Sequence, residues 1–345
     1  YLLPAKSVLN PLSIPNSQFP IPKKRQAFGH ISNKIAIYQI GAILRREQVM
    51  KKKYSMLLLS VTLAIVPVLR DVVEFKATLN RKNTPIPPSF GGEIYGEILP
   101  VSEWEIVLES PGTKLYQKGG DYVQIIDLSQ GASVRFIYGN TTDINRGQGA
   151  YGGDEPQLER QTVEQFWSEL YPSNSQLFCL SNGQFFRNDR NSSTGLAFPV
   201  KSNGKIVSDG YAGEIEFPEE KLILAVWKNR AEIQPFHPIY LRLSAAENAI
   251  VGLKSDADKG VLNETGRTFM GVADTDGDRL NETLLIFTSK KATQPHAAEV
   301  LKNFGATEVL MLDGGGSTQL FCQGKSYVNS PRTVPQAIAV FSGDR

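Results

Sequence analysis

The sequence is poor in the residues that thiol and metal chemistry require: 345 residues contain two cysteines and three histidines. Two cysteines do not make a disulfide framework, and the spacing of Cys179 and Cys322 is not that of a metal site. Both lie in apolar runs that read as strands, so buried reduced thiols are the leading expectation, with one bridge between neighbouring strands as the alternative. No histidine stands near either cysteine in sequence, which argues against a catalytic thiol. Internal repeats and low-complexity tracts are absent, and nothing in the chain implies a metal or an organic cofactor.

Charge of one sign is lacking overall but not locally. The net charge is +2, from 37 basic and 35 acidic residues. Residues 1–53 hold ten Lys or Arg against the single acid Glu47, which leaves 27 basic and 34 acidic residues, a balance of −7, for the rest. An acidic main body excludes sequence-independent nucleic-acid binding, which needs a basic face to neutralise phosphates. With 41% apolar and 21% charged residues the chain has enough material for a packed core.

The first methionine is Met50, followed by Lys51, Lys52 and Lys53 and by a 14-residue apolar run from Met56 to Leu69. A basic segment before a short apolar run is the pattern of a secretory signal, and the run falls short of the ~20 residues that span a bilayer. The expected organisation is a non-native or poorly folded extension over 1–49, a signal peptide or membrane anchor over 50–70, a proline- and glycine-bearing linker over 71–100, and one domain over 101–345. Residues 54–69 would provide any membrane anchoring. The expected setting is exported: periplasmic, extracellular or membrane-anchored.

From Trp104 onward short β-like runs alternate with turn signals. They fall at 104–109, 122–128, 133–139, 176–181, 195–200, 222–228, 239–243, 269–273, 283–288, 307–312, 318–323 and 334–341. Two helices interrupt them. Thr162–Leu170 puts Val163, Phe166, Trp167 and Leu170 on one face. The second has Thr293 as N-cap, Pro295 in its first turn, Ala297, Val300, Leu301 and Phe304 as its apolar stripe, and Gly305 as its stop. The expected fold class is α+β, a single domain with a mixed, strand-rich sheet and a few flanking helices.

The sharpest chemical signal is Asp313-Gly314-Gly315-Gly316-Ser317-Thr318, placed directly after an apolar strand. Consecutive glycines let a ligand approach the backbone, and successive N–H groups can line a concave anion site. Ser317 and Thr318 add hydroxyls, and Asp313 is placed as an acid, a base or an acceptor for a sugar hydroxyl. No Gly-Lys-Ser/Thr follows, so the turn is not a P-loop. Asn182-Gly183-Gln184-Phe185-Phe186 is a turn after another apolar strand. Arg267-Thr268 and Arg332-Thr333 each precede a strand, and arginine binds phosphate or carboxylate bidentately.

Asp274-Thr275-Asp276-Gly277-Asp278, with Glu282, has the look of a calcium loop. An EF-hand needs Gly at position 6 and Glu at 12; here the Gly precedes the third Asp and the Glu comes early. A hairpin turn between 269–273 and 283–288 is therefore expected. Sequons stand at Asn140, Asn191, Asn263 and Asn281.

Taken in order, Asn-Gly-x-Phe-Phe, the Lys205–Gly210 turn, Arg-Thr-x-x-Gly-Val, Leu-Asp-Gly-Gly-Gly-Ser-Thr and Pro-Arg-x-Val resemble the phosphodiester glycosidase family over roughly residues 105–342. The resemblance implies cleavage of an N-acetylglucosamine-1-phosphodiester type of bond on a phosphorylated sugar or glycan. By motif match it implies Asn182, Arg267, Asp313, Gly314, Gly315, Ser317 and Arg332 as pocket residues; from the residues themselves we expect Asp313 to be catalytic and Gly183, Thr268, Gly316 and Thr318 to join the substrate-binding set. Family members commonly carry Asn-Gly-Gly-Phe-Phe, whereas Gln184 stands at the second glycine here. Glycosidases usually employ two carboxylates, and Asp209 and Glu214 are candidates for the second. The competing expectation is a cell-surface protein that binds phosphate-bearing glycans or exopolysaccharide without cleaving them.

Overall fold

The computed structural model describes residues 103–188 and 191–344. The extension 1–49, the signal or anchor segment 50–70 and the linker 71–100 lie outside the described residues. Among those described, no helix is long and apolar enough to cross a membrane.

Side chains alternate between the two faces of a strand, and here both faces of the central sheet are covered. In Thr283–Ala292, Leu284 and Ile286 enter one core cluster while Leu285 and Phe287 enter the other. The central sheet runs, in spatial order, Glu105–Ser110, Thr113–Lys118, Asp121–Asp127, Thr283–Ala292, Thr265–Ala273, Glu308–Met311, Asn248–Leu253, Lys221–Val226 and Ala231–Pro235. Val200–Ser202 pairs with Asn248–Leu253 and carries Lys205–Ser208. A second sheet runs Lys325–Val328, Leu320–Cys322, Leu177–Asn182, Gln336–Phe341, Ser133–Tyr138. A small third sheet joins Thr141–Asn145, Glu155–Glu159 and Ser193–Thr194.

The first cluster joins the central and second sheets through Met270, Ile286, Leu180, Ile338 and Phe136, with Val163, Phe166 and Trp167 of the helix Val163–Leu170 packed on it. The second cluster, on the far face, holds Phe269, Phe287 and Val251 against Ala297, Leu301 and Phe304 of the helix Gln294–Asn303 and its C-cap.

Both expected helices form, the first with a cap that its apolar periodicity had not indicated and the second with the expected cap. Thr162 and Gln165 make a reciprocal capping box. Thr293 accepts from the His296 N–H, and Gly305, at φ +92°, takes the chain out of the second helix.

The architecture is strand-rich and mainly β, and its sheets are not mixed. Every strand pairing among the described residues is antiparallel. The α/β-like signal over 293–312 is a helical crossover from Thr283–Ala292 to Glu308–Met311. These two strands flank Thr265–Ala273 and do not pair with each other.

The expected strand at 239–243 is instead the helix Pro238–Leu243, because Pro238 suits the first helical position and the His237 ring accepts from the Ile239 N–H. The run 195–200 is strand only at its last residue, Val200, where Val200–Ser202 begins; Ser193–Thr194 precedes it. Asn248–Leu253, buried throughout, is a central strand whose sequence carries no turn signal before it.

The cysteines are not reduced thiols. Cys179 and Cys322 stand opposite each other in adjacent antiparallel strands and form a disulfide between positions 143 residues apart.

Candidate active site

The strand Glu308–Met311 passes the chain from one sheet to the other. Leu312 N–H donates to the Thr268 carbonyl at 2.9 Å, and Asp313 N–H donates to the Gly183 carbonyl at 3.0 Å. The glycine turn therefore starts where the central sheet meets the Asn182-Gly183 turn of the second sheet. Close packing against backbone and buried side chains dictates the glycines. A Cβ on Gly266 would sit 2.2 Å from the Gly315 carbonyl, and one on Gly183 would sit 2.0 Å from Gln336 Oε1. Gly315, at φ +60°, needs the left-handed region as well.

Asn182 is the hub of the junction and is fully buried. Its Nδ2 donates to the Asp313 carbonyl at 2.7 Å. Its Oδ1 accepts from Thr268 Oγ1 at 2.7 Å and from Gln319 N–H at 3.1 Å. Three segments distant in sequence are locked by one side-chain amide, and each buried polar group involved has a partner.

Asp313 keeps some solvent exposure but is densely surrounded by protein atoms. Burial lifts its carboxyl to about 6, against the opposing effects of a Ser317 hydroxyl bond, the Arg332 charge, the Gly314 N–H and Lys259. The group thus changes charge within the range where a general base or an electrostatic stabiliser is effective. Ser317 is buried beneath it, and the Thr318 hydroxyl is buried without a hydrogen-bond partner.

The two arginines that look equivalent in sequence differ in the structure. Arg332 lies over the Phe186 ring, 5.2 Å from its centroid, and beside Gly316. Its Nη2 donates to Asn188 Oδ1 at 2.9 Å, while its buried Nε has no protein acceptor. Arg267 is buried and donates to Ala292, Lys259, Gly260 and Asn263 carbonyls and to Gln294 Oε1. Those bonds match the five donors of a guanidinium, so Arg267 clamps the 259–263 loop and has no donor left for a phosphate. The expected substrate contact at Arg267 is corrected on that ground. Thr268 is likewise fully buried and serves Asn182.

The expected second carboxylates are also otherwise engaged. Asp209 is fully buried, its Oδ2 accepting from Arg242 Nη2 and the Gly153 N–H, each at 2.6 Å. Glu214 is largely exposed, 4.0 Å from Lys221 Nζ. Neither is among the groups that act on Asp313. Gln184 faces the interior, donating to the Val251 carbonyl and accepting from the Phe185 N–H. The departure from the family's glycine is therefore absorbed by the core.

Other residues at the site carry no local sequence signal. Lys259 sits 5.2 Å from the Phe185 and Phe217 centroids and favours the ionised form of Asp313. Tyr211 is pushed up by burial; Arg187 opposes this, while the charges of Asp313 and Glu155 add to it. Arg187 lies 4.4 Å from the Tyr211 centroid and donates to the buried Glu155 at 3.1 Å.

The chain is similar to several solved structures at low identity. Against the zebrafish N-acetylglucosamine-1-phosphodiester alpha-N-acetylglucosaminidase catalytic domain, auto-inhibited by its pro-peptide, the TM-score is 0.43 at 16% identity. That match covers 70% of this chain and 82% of the other. A hypothetical protein from Synechocystis gives 0.38 at 12%, covering 69% and 61% of the two chains. An exported protein from Burkholderia pseudomallei gives 0.34 at 13%, covering 66% and 74%. No curated protein matches. The model of the phosphodiester glycosidase family matches residues 162–341, from the N-cap of the first helix to the last strand and across the whole Asn182–Asp313–Arg332 junction. With more than half of its length matched, the chain belongs to the phosphodiester glycosidase family, a family of hydrolases.

Proposed function

We propose that the protein hydrolyses a sugar-1-phosphodiester of the N-acetylglucosamine-1-phosphodiester kind, with Asp313 as the catalytic carboxylate. The observation that carries this reading is a carboxyl near pKa 6 beside an arginine with an unpartnered Nε and above a turn of glycine amides.

The leaving group in such a bond is a phosphate monoester, stable as an anion, so the demand for a general acid is smaller than with a sugar alkoxide. Arg332 and the Gly314–Gly316 amides would hold the phosphate. Ionised Asp313 would stabilise the positive charge that develops on the sugar ring and take the proton of the attacking water. Ser317 would orient its carboxylate. With this division of labour one carboxylate would suffice where two are usual.

An oxidising, exported setting is part of the proposal. The Cys179–Cys322 disulfide supports it, since such bonds persist outside reducing compartments. The basic segment ahead of the apolar run 56–69 points the same way.

The test is release of free N-acetylglucosamine from an N-acetylglucosamine-1-phosphodiester by the purified chain. Turnover lost in Asp313→Asn supports the reading. Saturable binding by the wild type without any turnover would replace it with recognition of phosphate-bearing glycans.

A further inference from the structure

The hairpin tip that joins Thr265–Ala273 to Thr283–Ala292 holds four carboxylates that the chemistry at Asp313 does not use. Asp274, Asp276, Asp278 and Glu282 each present an oxygen, and the four atoms lie within 4.8 Å of one another. No salt bridge among the described residues reaches any of them. Four negative groups so close repel one another strongly unless something positive lies between them.

The loop's own hydrogen bonds account for part of this arrangement. Asp274 accepts from the N–H groups of Gly277 and Arg279, Asp276 from that of Asp278, and Asp278 from that of Leu280. These are turn contacts that acidic loops make with no ligand at all.

Glu282 is different. It is 92% buried, with a relative exposure of 8%. Its Oε1 accepts from the Thr275 N–H at 2.6 Å, which turns the carboxylate into the loop. Its Oε2 is buried with no hydrogen-bond partner. A buried carboxylate oxygen without a hydrogen-bond partner, on a group that presents an oxygen within 4.8 Å of three other carboxylates, is costly. A hard cation removes both the repulsion and the orphaned oxygen.

We infer that Asp274, Asp276, Asp278 and Glu282 form a calcium site at this hairpin tip. The donors are all carboxylate oxygens on a hairpin loop, which suits the oxygen ligands and variable geometry of calcium better than the rigid octahedron of magnesium. The spacing departs from the EF-hand because the ligands close a β-hairpin and not a helix–loop–helix; Glu282, at the ninth position, comes from the start of the returning strand.

The site lies at the end of Thr265–Ala273 opposite Gly266 and Arg267, about 27 Å away by strand rise. Its effect is therefore on the fold. The tip is bonded to its surroundings through Leu128 N–H to the Glu282 carbonyl and Ala231 N–H to the Asn281 carbonyl. Calcium would tie the hairpin to the segments on either side of it.

Thermal unfolding of the full chain, stripped with a chelator and titrated with calcium chloride or magnesium chloride, tests this. Calcium should raise Tm progressively with the logarithm of its concentration above Kd, by about 5–10 °C at a hundredfold excess, and magnesium should do far less. Asp276→Asn, at an exposed position where the amide still accepts a hydrogen bond, removes a charge and leaves a weaker oxygen ligand, so it should shrink the shift while folding normally. Glu282→Gln should do the same. No calcium-dependent shift in the wild type, an equal response to magnesium, or an undiminished shift in Asp276→Asn would each overturn the assignment.

Discussion

Asn182 Nδ2 donates to the main-chain carbonyl of Asp313 at 2.7 Å, across 131 positions of sequence. This bond couples the ends of two strands in different sheets and sets the direction in which the Asp313 side chain leaves the backbone. Because Asn182 also accepts from Thr268 and Gln319, its removal strands three buried groups together. Asn182→Ala is expected to lose roughly 2–4 kcal/mol of stability and most of the activity. Chemical denaturation alongside hydrolysis assays checks both, and a variant of wild-type stability would remove Asn182 from the hub role.

Asp313→Asn should reduce kcat by about 10²–10⁴-fold and leave the fold intact. Circular dichroism and single-turnover hydrolysis separate these effects. Retained turnover would take Asp313 out of the chemistry.

The carboxyl of Asp313, raised from 3.8 to about 6 by burial, predicts a pH profile with a defined sign. Hydrolysis needs the ionised form, so kcat/KM should rise through about pH 6 and then level. For stability the native state keeps its proton to higher pH than the unfolded chain. Stability should therefore fall as pH rises from 3.8 toward 6, with no further loss above. In Asp313→Asn this slope should flatten, as melting curves across pH 3.5–7.5 would reveal.

Arg332 and Arg267 should separate cleanly. Arg332→Ala removes the guanidinium beside Gly316 and should lower kcat/KM by about 10²-fold with little change in Tm. Arg267→Ala leaves five acceptors of the 259–294 region unsatisfied and should cost about 3 kcal/mol or more of stability. Equal effects on stability would contradict the different environments of the two side chains.

Joint replacement Cys179→Ala with Cys322→Ala opens a bridge closing 143 residues and should lower stability by about 2–5 kcal/mol. Guanidinium unfolding with and without reductant on the wild type should reproduce most of this difference.

Local rules carried far in this chain. The spacing of Val163, Phe166, Trp167 and Leu170 marked one helix, and Thr293 with Gly305 marked the other by capping and left-handed backbone chemistry that needs no tertiary context. The glycines of 314–316 marked a turn with room for a ligand, and alternating apolar runs marked a strand-rich fold. What failed locally were features that depend on partners. The run 239–243 is apolar enough for a strand, but Pro238 and His237 start a helix there. The two Arg-Thr pairs are indistinguishable as strings; only the carbonyls gathered around Arg267 and the ring beneath Arg332 separate them. Strand register put Cys179 opposite Cys322, a pairing that the distance in sequence does not disclose.

The sequence by itself determined that Asp313 would sit on a glycine turn at the end of a buried strand, because backbone conformation and apolar periodicity are short-range properties. Tertiary structure decided what surrounds it. The raised carboxyl needs the crowding of atoms from segments far apart, with Arg332 and Lys259 holding the rise in check. Desolvation and charge act through space over a few ångströms, and the sheets bring those ångströms about.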